Sequence, residues 1–104
     1  MHARIAKYAF SGDAQEIARK AEDGLLPIFQ SQPGFKAYSV IASDEKVVSF
    51  IAWDSAESAE AADAKAAEWV AQNIADQIEL KNVTVGEIMF STALGVTTKA
   101  GATV

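Results

Sequence analysis

The sequence contains no cysteine among its 104 residues, and its single histidine is His2. The missing thiols exclude a disulfide framework, a thiol nucleophile and a thiolate metal site. Without further histidines, the acidic residues of the chain have no nitrogen ligand to complete a zinc site. These absences argue against a metal site.

Clusters of basic residues and long apolar runs are also missing. The chain has 9 Lys and Arg residues, which are scattered, against 14 Asp and Glu residues, for a net charge of -5. Binding to a phosphate backbone depends on Lys and Arg clusters, so we predict no nucleic-acid partner. No segment approaches the ~20 apolar residues of a membrane span, and the opening MHARIAKYAF lacks the apolar core of a secretory signal. We therefore predict a cytoplasmic protein without a membrane partner.

The first third of the chain has the pattern of a strand followed by a helix. Residues 3–10 are rich in strand formers, and Ser11-Gly12 ends the run. Asp13 and Glu16 have the spacing of a capping box, which predicts a helix start. We expect Pro27 to kink or restart this helix. Its predicted apolar stripe is Ile17, Ala18, Ala21, Leu25 and Ile28.

The centre of the chain is a predicted hairpin. Residues 35–43 form one strand, Asp44-Glu45 form the polar tip, and residues 46–53 form the next strand. This third strand is largely apolar on both faces, so neither face is suited to contact with water. Each face of the strand therefore has to be shielded from water by other parts of the chain or by a second subunit.

The last part of the chain repeats the helix and strand. A second, alanine-rich helix is predicted to start at Asp54 or Ser55, followed by a strand over residues 80–91. The residues after 91 show no regular spacing of apolar side chains that would predict a helix or a strand. We therefore predict one domain over residues 1–91 and a flexible C-terminal arm over residues 92–104.

The predicted order βαββαβ defines an α+β, ferredoxin-like fold. Right-handed crossovers place both helices on one face of a four-stranded antiparallel sheet. The uncovered face is expected to carry several of six aromatic residues. The combined apolar surface of three of them would equal or exceed the ~300–600 Å² that the largest apolar patch of a monomer normally has. We therefore predict a homodimer that packs sheet against sheet and encloses an apolar pocket. The six aromatic residues are Tyr8, Phe35, Tyr38, Phe50, Trp53 and Phe90.

Two motifs resemble those of antibiotic-biosynthesis-monooxygenase-like proteins, which belong to the dimeric α+β barrel superfamily. They are the segment from Leu26 to Phe35 (LPIFQSQPGF) and the Trp53-Asp-Ser55 that opens an acidic, alanine-rich helix. The resemblance covers about residues 3–91. It implies a barrel interior that holds a small substrate, often a polycyclic phenol, and its oxidation by O₂ without metal or flavin. The haem-degrading relatives use a histidine to ligate iron, and His2 at the N-terminal end does not suit that role.

Three strand residues are the predicted catalytic side chains. Arg4 has the same strand parity as Tyr8 and could stabilise an oxyanion, or it could emerge at the barrel rim and pair with an acid from the partner subunit. Tyr8 offers a phenol as a proton donor. Trp53 could orient a substrate oxygen through its N–H, or it could simply pack in the core or the dimer interface.

Tyr38, Ser49 and Phe50 are the predicted substrate-binding residues. Asp54 is better suited to helix capping than to acting as a base. The acidic residues of the second helix, Asp63 among them, are expected to form a solvated face, and Trp69 is expected to pack in the core.

Two functions remain open from the sequence. The first is a cofactor-independent monooxygenase that acts on a small aromatic substrate. The second is a non-catalytic dimer that binds a small ligand or serves as a stress-related or accessory protein. The scarcity of titratable groups on the strands favours the second function, whereas the family resemblance favours the first.

Overall fold

The computed structural model describes residues 1–98 of the chain. Its four strands form one antiparallel sheet in the spatial order β2-β3-β1-β4. The elements are β1 (His2–Phe10), α1 (Ala14–Gln30), β2 (Phe35–Ala42), β3 (Lys46–Trp53), α2 (Ala56–Asn73) and β4 (Ile78–Glu87). This arrangement confirms the predicted ferredoxin-like α+β fold.

Helix α1 begins where its capping residue predicts. The Asp13 carboxylate accepts a hydrogen bond from the Gln15 backbone N–H at 3.0 Å. Glu16 does not complete the predicted capping box and instead pairs with Lys20, four residues later, at 3.6 Å. The helix also continues through Pro27 to Gln30, so it does not restart at the proline. The proline removes one backbone hydrogen bond from the helix. Phe29 is buried in the core and holds the last turn against the sheet.

Helix α2 is capped by Ser55 and not by Asp54. The Ser55 hydroxyl accepts a hydrogen bond from the Ser58 N–H at 3.2 Å. Asp54 instead joins the loop that precedes β2, because its N–H donates to the Gly34 carbonyl at 2.8 Å. Its carboxylate accepts a hydrogen bond from the Ser58 hydroxyl at 3.1 Å.

The helices cover the sheet unevenly. Helix α1 packs on β2, and α2 packs on β1 and β3, whereas β4 lies at the edge beyond them. The apolar side chains of β4 on the helix side are consequently exposed: Leu80, Val83 and Val85. The core lies under α1 and the first half of α2, around the fully buried Trp53 and Phe29.

The strand register places most of the predicted open-face aromatics on the helix side. Tyr8 is opposite Val47, and Tyr38 is opposite Ile51, both of which are buried under the helices. Of the five that lie in strands, only Phe50, opposite Ile5, is on the uncovered face of the sheet, and Phe90 lies beyond the end of β4. The expectation that several aromatic residues share that face is therefore wrong. The face still carries the exposed Ile5 and Ile41.

Beyond β4 the chain forms a closed turn. Two backbone hydrogen bonds join Ser91 and Val96, at 2.9 and 3.0 Å. The predicted arm over residues 92–104 thus starts inside this turn, and residues 99–104 lie outside the described residues. Within residues 1–98, no helix combines the length and the apolar character that crossing a membrane requires.

Candidate functional site

A cavity of about 370 Å³ lies between the sheet and the two helices of the single chain. Its floor is formed by β1, β3 and β2, and its roof by α1 and α2. The pocket expected from the sequence was placed between the sheets of two subunits. This cavity is on the opposite side of the sheet, within one chain, and the pocket between two sheets stays a prediction.

Small side chains explain why the two layers do not close on each other. A helix on a sheet normally fills the space between them with Leu, Ile or Phe, so that interiors hold few voids larger than a water molecule. Here both helices present alanine to the cavity over several turns, and a serine occupies the middle of the floor. These residues are Ala18, Ala21, Ala66, Ala67, Ala71 and Ser49.

The cavity opens between the second half of α2 and β4. Its exposed lining residues are concentrated there: Ala67 and Ala71 on α2, Ala75 in the turn after it and Leu80 on β4. Because β4 lies beyond the helices, nothing in the described part of the chain covers this side. A ligand would therefore enter across Leu80.

The floor carries polar groups at defined positions. Ser49 is buried at the centre of the sheet, opposite Ala6 on β1 and Val40 on β2. Tyr8 lies opposite Val47, and Tyr38 lies opposite Ile51. The two phenols are therefore on opposite sides of Ser49 along the strand direction. Burial, reinforced by the nearby Tyr8, raises the pKa of Tyr38 from 10.0 to about 12. Tyr38 therefore stays a neutral hydrogen-bond donor across the physiological pH range.

Arg4 contributes the positive charge of the site. It lies on β1 opposite Ile51, and its side chain is 20% exposed. Across the cavity on α2, Asp63 lies with its Oδ2 atom 3.6 Å from Arg4 Nε. The structure thus brings together four of the predicted site residues: Arg4, Tyr8, Tyr38 and Ser49.

Trp53 and Phe50 lie outside this cavity lining. Trp53 is fully buried, and its ring packs edge-on against Phe29 and Phe35 at centroid distances of 5.8 and 5.6 Å. Its Nε1 atom has no hydrogen-bond partner among residues 1–98. Phe29 does line the cavity and also contacts Tyr38 at 5.0 Å, so Trp53 forms a second layer behind it. Phe50 points to the other face of the sheet, because successive strand residues alternate.

Asp63 is the functional candidate that the sequence interpretation missed. The expectation of a solvated acidic face is wrong for this residue, which is half-buried in the cavity wall. The spacing of Asp63 in the sequence could have indicated its position. It is four residues after the buried Ala59 and three before the cavity-lining Ala66, which places it on the same face of the helix as both. A carboxylate on the apolar stripe of a helix is unusual enough to indicate a function. No group of three or more potential ligand residues in the described chain is arranged to hold a metal ion.

Comparison with known sequences gives no assignment. No protein-family model matches the chain, and no curated protein matches it at the level required for a relationship.

Comparison with solved structures gives a consistent fold. SnoaB from Streptomyces nogalater, described as a cofactor-independent oxygenase, superposes with a TM-score of 0.72 at 14% identity, covering 88% of this chain and 95% of SnoaB. Rv0793 from Mycobacterium tuberculosis gives 0.69 at 17% identity, over 88% and 97% of the two chains. A protein described as an antibiotic biosynthesis monooxygenase gives 0.67 at 15% identity, over 86% and 100%.

These similarities show the fold of the chain. The chain has the ferredoxin-like fold of the antibiotic biosynthesis monooxygenases, which confirms the resemblance seen in the sequence. At such low identities the similarity extends to the fold, whereas substrate and activity have to be argued from the cavity itself.

Proposed function

We propose that the protein is a cofactor-independent monooxygenase that oxidises a small aromatic substrate in the cavity between sheet and helices. One observation carries the proposal: a cavity of about 370 Å³ with apolar walls and a cluster of polar groups on its floor. Ligand sites in proteins have volumes of ~300–1,000 Å³ and the same combination of apolar lining and a few placed polar groups. The fold shared with an oxygenase supports the same class of chemistry.

The proposed reaction converts a methylene flanked by aromatic rings into a carbonyl. One molecule of O₂ is consumed; one oxygen atom enters the product, and the other leaves as water with the two methylene hydrogens. The four electrons come from the substrate, so no external reductant is needed. The protein then has to bind the substrate, exclude water and stabilise the substrate anion that reacts with O₂.

The polar residues of the cavity have separate roles in this proposal. Arg4 stabilises the negative charge that develops on a substrate oxygen, and Tyr8 donates a proton or hydrogen bond. Tyr38 and Ser49 bind the substrate oxygen atoms. Trp53 acts by position, because it fixes the Phe29 ring that contacts both Tyr38 and the cavity.

We include a homodimer in the proposal, formed through the uncovered face of the sheet. Ile5 and Ile41 on this face are 40% and 62% exposed, and Val48 and Phe50 lie between them in the register. An apolar surface at the centre of a sheet favours burial against a second copy. Such an assembly leaves the mouth of each cavity free, since the helices are on the other side. We expect the dimer to function in the cytoplasm.

A second function, binding without turnover, is favoured by the composition of the cavity wall. Arg4 and Asp63 are its only charged residues within the described chain, and the remaining wall is dominated by aliphatic side chains. A carrier or an accessory protein would need no more than this.

Oxygen uptake distinguishes the two functions. The purified protein is dialysed against a chelator and then mixed with a panel of anthrones and hydroquinones. The monooxygenase proposal predicts O₂ consumption equal to the carbonyl product formed, and its loss in Arg4→Gln. Saturable binding of the same compounds without O₂ consumption would support the binding function instead.

A further inference from the structure

The side chains of Arg4 and Asp63 form a pair that bridges the cavity from floor to roof. Arg4 lies on β1 and Asp63 lies on α2, and the distance between Arg4 Nε and Asp63 Oδ2 is 3.6 Å. The two side chains are 20% and 37% exposed, so both are only partly in contact with solvent. This separation is within ion-pair range but too long for a hydrogen bond.

Both side chains have unused hydrogen-bonding capacity. Neither Arg4 nor Asp63 makes a side-chain hydrogen bond to any other residue in the described range 1–98. A guanidinium has five N–H donors, and a carboxylate can accept about four hydrogen bonds. Because both groups line the cavity, these donors and acceptors are available to a ligand.

The electrostatic surroundings make Asp63 a better proton acceptor than a surface aspartate. Burial raises the pKa of Asp63, and the neighbouring Glu60 raises it further. Arg4 and His2 act in the opposite direction, and burial is the largest of these effects. The other ionisable groups of the cavity are the phenols of Tyr8 and Tyr38.

We propose that Asp63 is the proton acceptor of the cavity and that Arg4 holds the resulting oxyanion, so that the ligand is a phenol or enol with an acidic hydroxyl group. This inference rests on the proposed function and names its base. The ligand O–H bond breaks, the proton moves to a carboxylate oxygen of Asp63, and the electron pair stays on the ligand oxygen.

The transfer leaves the charge of the site unchanged. Before it, Arg4 is the counter-ion of the Asp63 carboxylate; afterwards, Arg4 is the counter-ion of the ligand anion, and Asp63 is neutral. No additional charge has to be buried, which is the principal cost of ionising a group in a low-dielectric cavity. A purely structural ion pair would instead be disrupted when a ligand anion approached Arg4.

Proton uptake on binding provides the test, and it does not depend on turnover. The probe is p-nitrophenol, studied at a pH where it is fully ionised in solution, with p-nitroanisole as a ligand that has no hydroxyl group. Because the phenolate and the Asp63 carboxylate cannot both remain charged beside one Arg4, binding should take up about one proton per ligand. Calorimetry in buffers of different ionisation enthalpy measures this number directly.

Two variants assign the proton. Asp63→Asn should bind the phenolate with no proton uptake, because the amide imitates the protonated acid without titrating. Glu68→Gln, an exposed site on the same helix, should keep the uptake of wild type. If a substrate is turned over, Asp63→Asn should also reduce kcat by about 100-fold, as expected for loss of a general base.

The outcomes separate this inference from the proposed function. Absence of proton uptake by the wild-type protein, or equal uptake by Asp63→Asn, would overturn the role of Asp63 whether or not O₂ is consumed. Proton uptake without any O₂ consumption would support Asp63 and Arg4 as a phenol-binding pair and would reject the monooxygenase. The wild-type measurement needs no variant, so a folding defect in Asp63→Asn would not prevent a decision.

Discussion

Gly24 of α1 lies directly against the indole ring of Trp69 on α2. A Cβ atom at Gly24 would overlap the ring, with Trp69 Nε1 only 2.5 Å away. The two helices therefore meet at a point where one contributes no side chain and the other contributes the largest. This contact places α2 over the sheet and confirms Trp69 as a packing residue, which joins the core from its edge.

Gly24→Ala is expected to destabilise the protein despite the better helix propensity of alanine. The gain of up to ~1 kcal/mol from replacing a helical glycine is offset by the ~1–3 kcal/mol typical of overpacking, so we expect a net loss of up to about 2 kcal/mol. Urea unfolding measures the change. In a Trp69→Ala background the same substitution should become neutral or stabilising; an equal loss in both backgrounds would show that the ring is not the cause.

Gly34→Ala should be more harmful than Gly95→Ala. Both glycines have positive φ, at 85° and 71°, so each alanine carries the left-handed backbone cost of about 1–2 kcal/mol. Only at Gly34 would the added methyl also overlap the Asp54 carboxylate and the Ser58 hydroxyl, whereas the space around Gly95 is open. Thermal unfolding of the two variants isolates this second effect. Equal losses would argue against the close approach of Asp54 to the loop.

Ionisation of Tyr38 should weaken the fold at high pH. The pKa of Tyr38 is raised from 10.0 to about 12, so between these values the unfolded chain has released the proton that the folded protein retains. The stabilisation is complete below pH 10 and is lost as the pH approaches 12, amounting to roughly 1–2 kcal/mol after allowance for partial exposure. Urea unfolding across this range should show the decline, and Tyr38→Phe should lack this part of it. An ultraviolet titration in which Tyr38 ionises near 10 would contradict the assignment.

Phe50→Lys should dissociate the proposed homodimer. A lysine at the centre of the uncovered sheet face would be buried without a counter-charge against the second copy. Sedimentation velocity should then change from dimer to monomer. Val83→Lys is the matched control, since Val83 is a 40% exposed strand residue on the helix side of β4. A wild-type protein that sediments as a monomer would remove the dimer from the account.

Sequence patterns predicted the elements of this fold well. The hairpin around Asp44 and Glu45, the cap at Asp13 and the order βαββαβ all depend on local spacing, and all are present. The helix does not restart at Pro27, because packing of the last turn against the sheet outweighs the lost hydrogen bond.

The location of the candidate site depended on information that local patterns do not contain. Alternation shows which strand residues share a face, but it does not show which face the helices cover. Tyr8, Tyr38 and Phe50 were therefore all candidates for the uncovered face, although the register puts the two tyrosines on the helix side and Phe50 on the other. The cavity itself arises from alanines on two helices that meet only in the tertiary structure. Asp63 could have been recognised from its position on the stripe of Ala59 and Ala66.

Binding of anthrone to two alanine variants of α2 tests most directly whether the cavity between sheet and helices is the ligand site. Ala66 lines the cavity, and Ala61 is exposed on another side of the same helix. Ala66→Leu fills part of the space and should weaken binding by about tenfold or more, equivalent to ~1.4 kcal/mol. Ala61→Leu should bind as wild type does. Unchanged affinity in Ala66→Leu, measured by calorimetry on folded protein, would contradict the assignment of this cavity as the site.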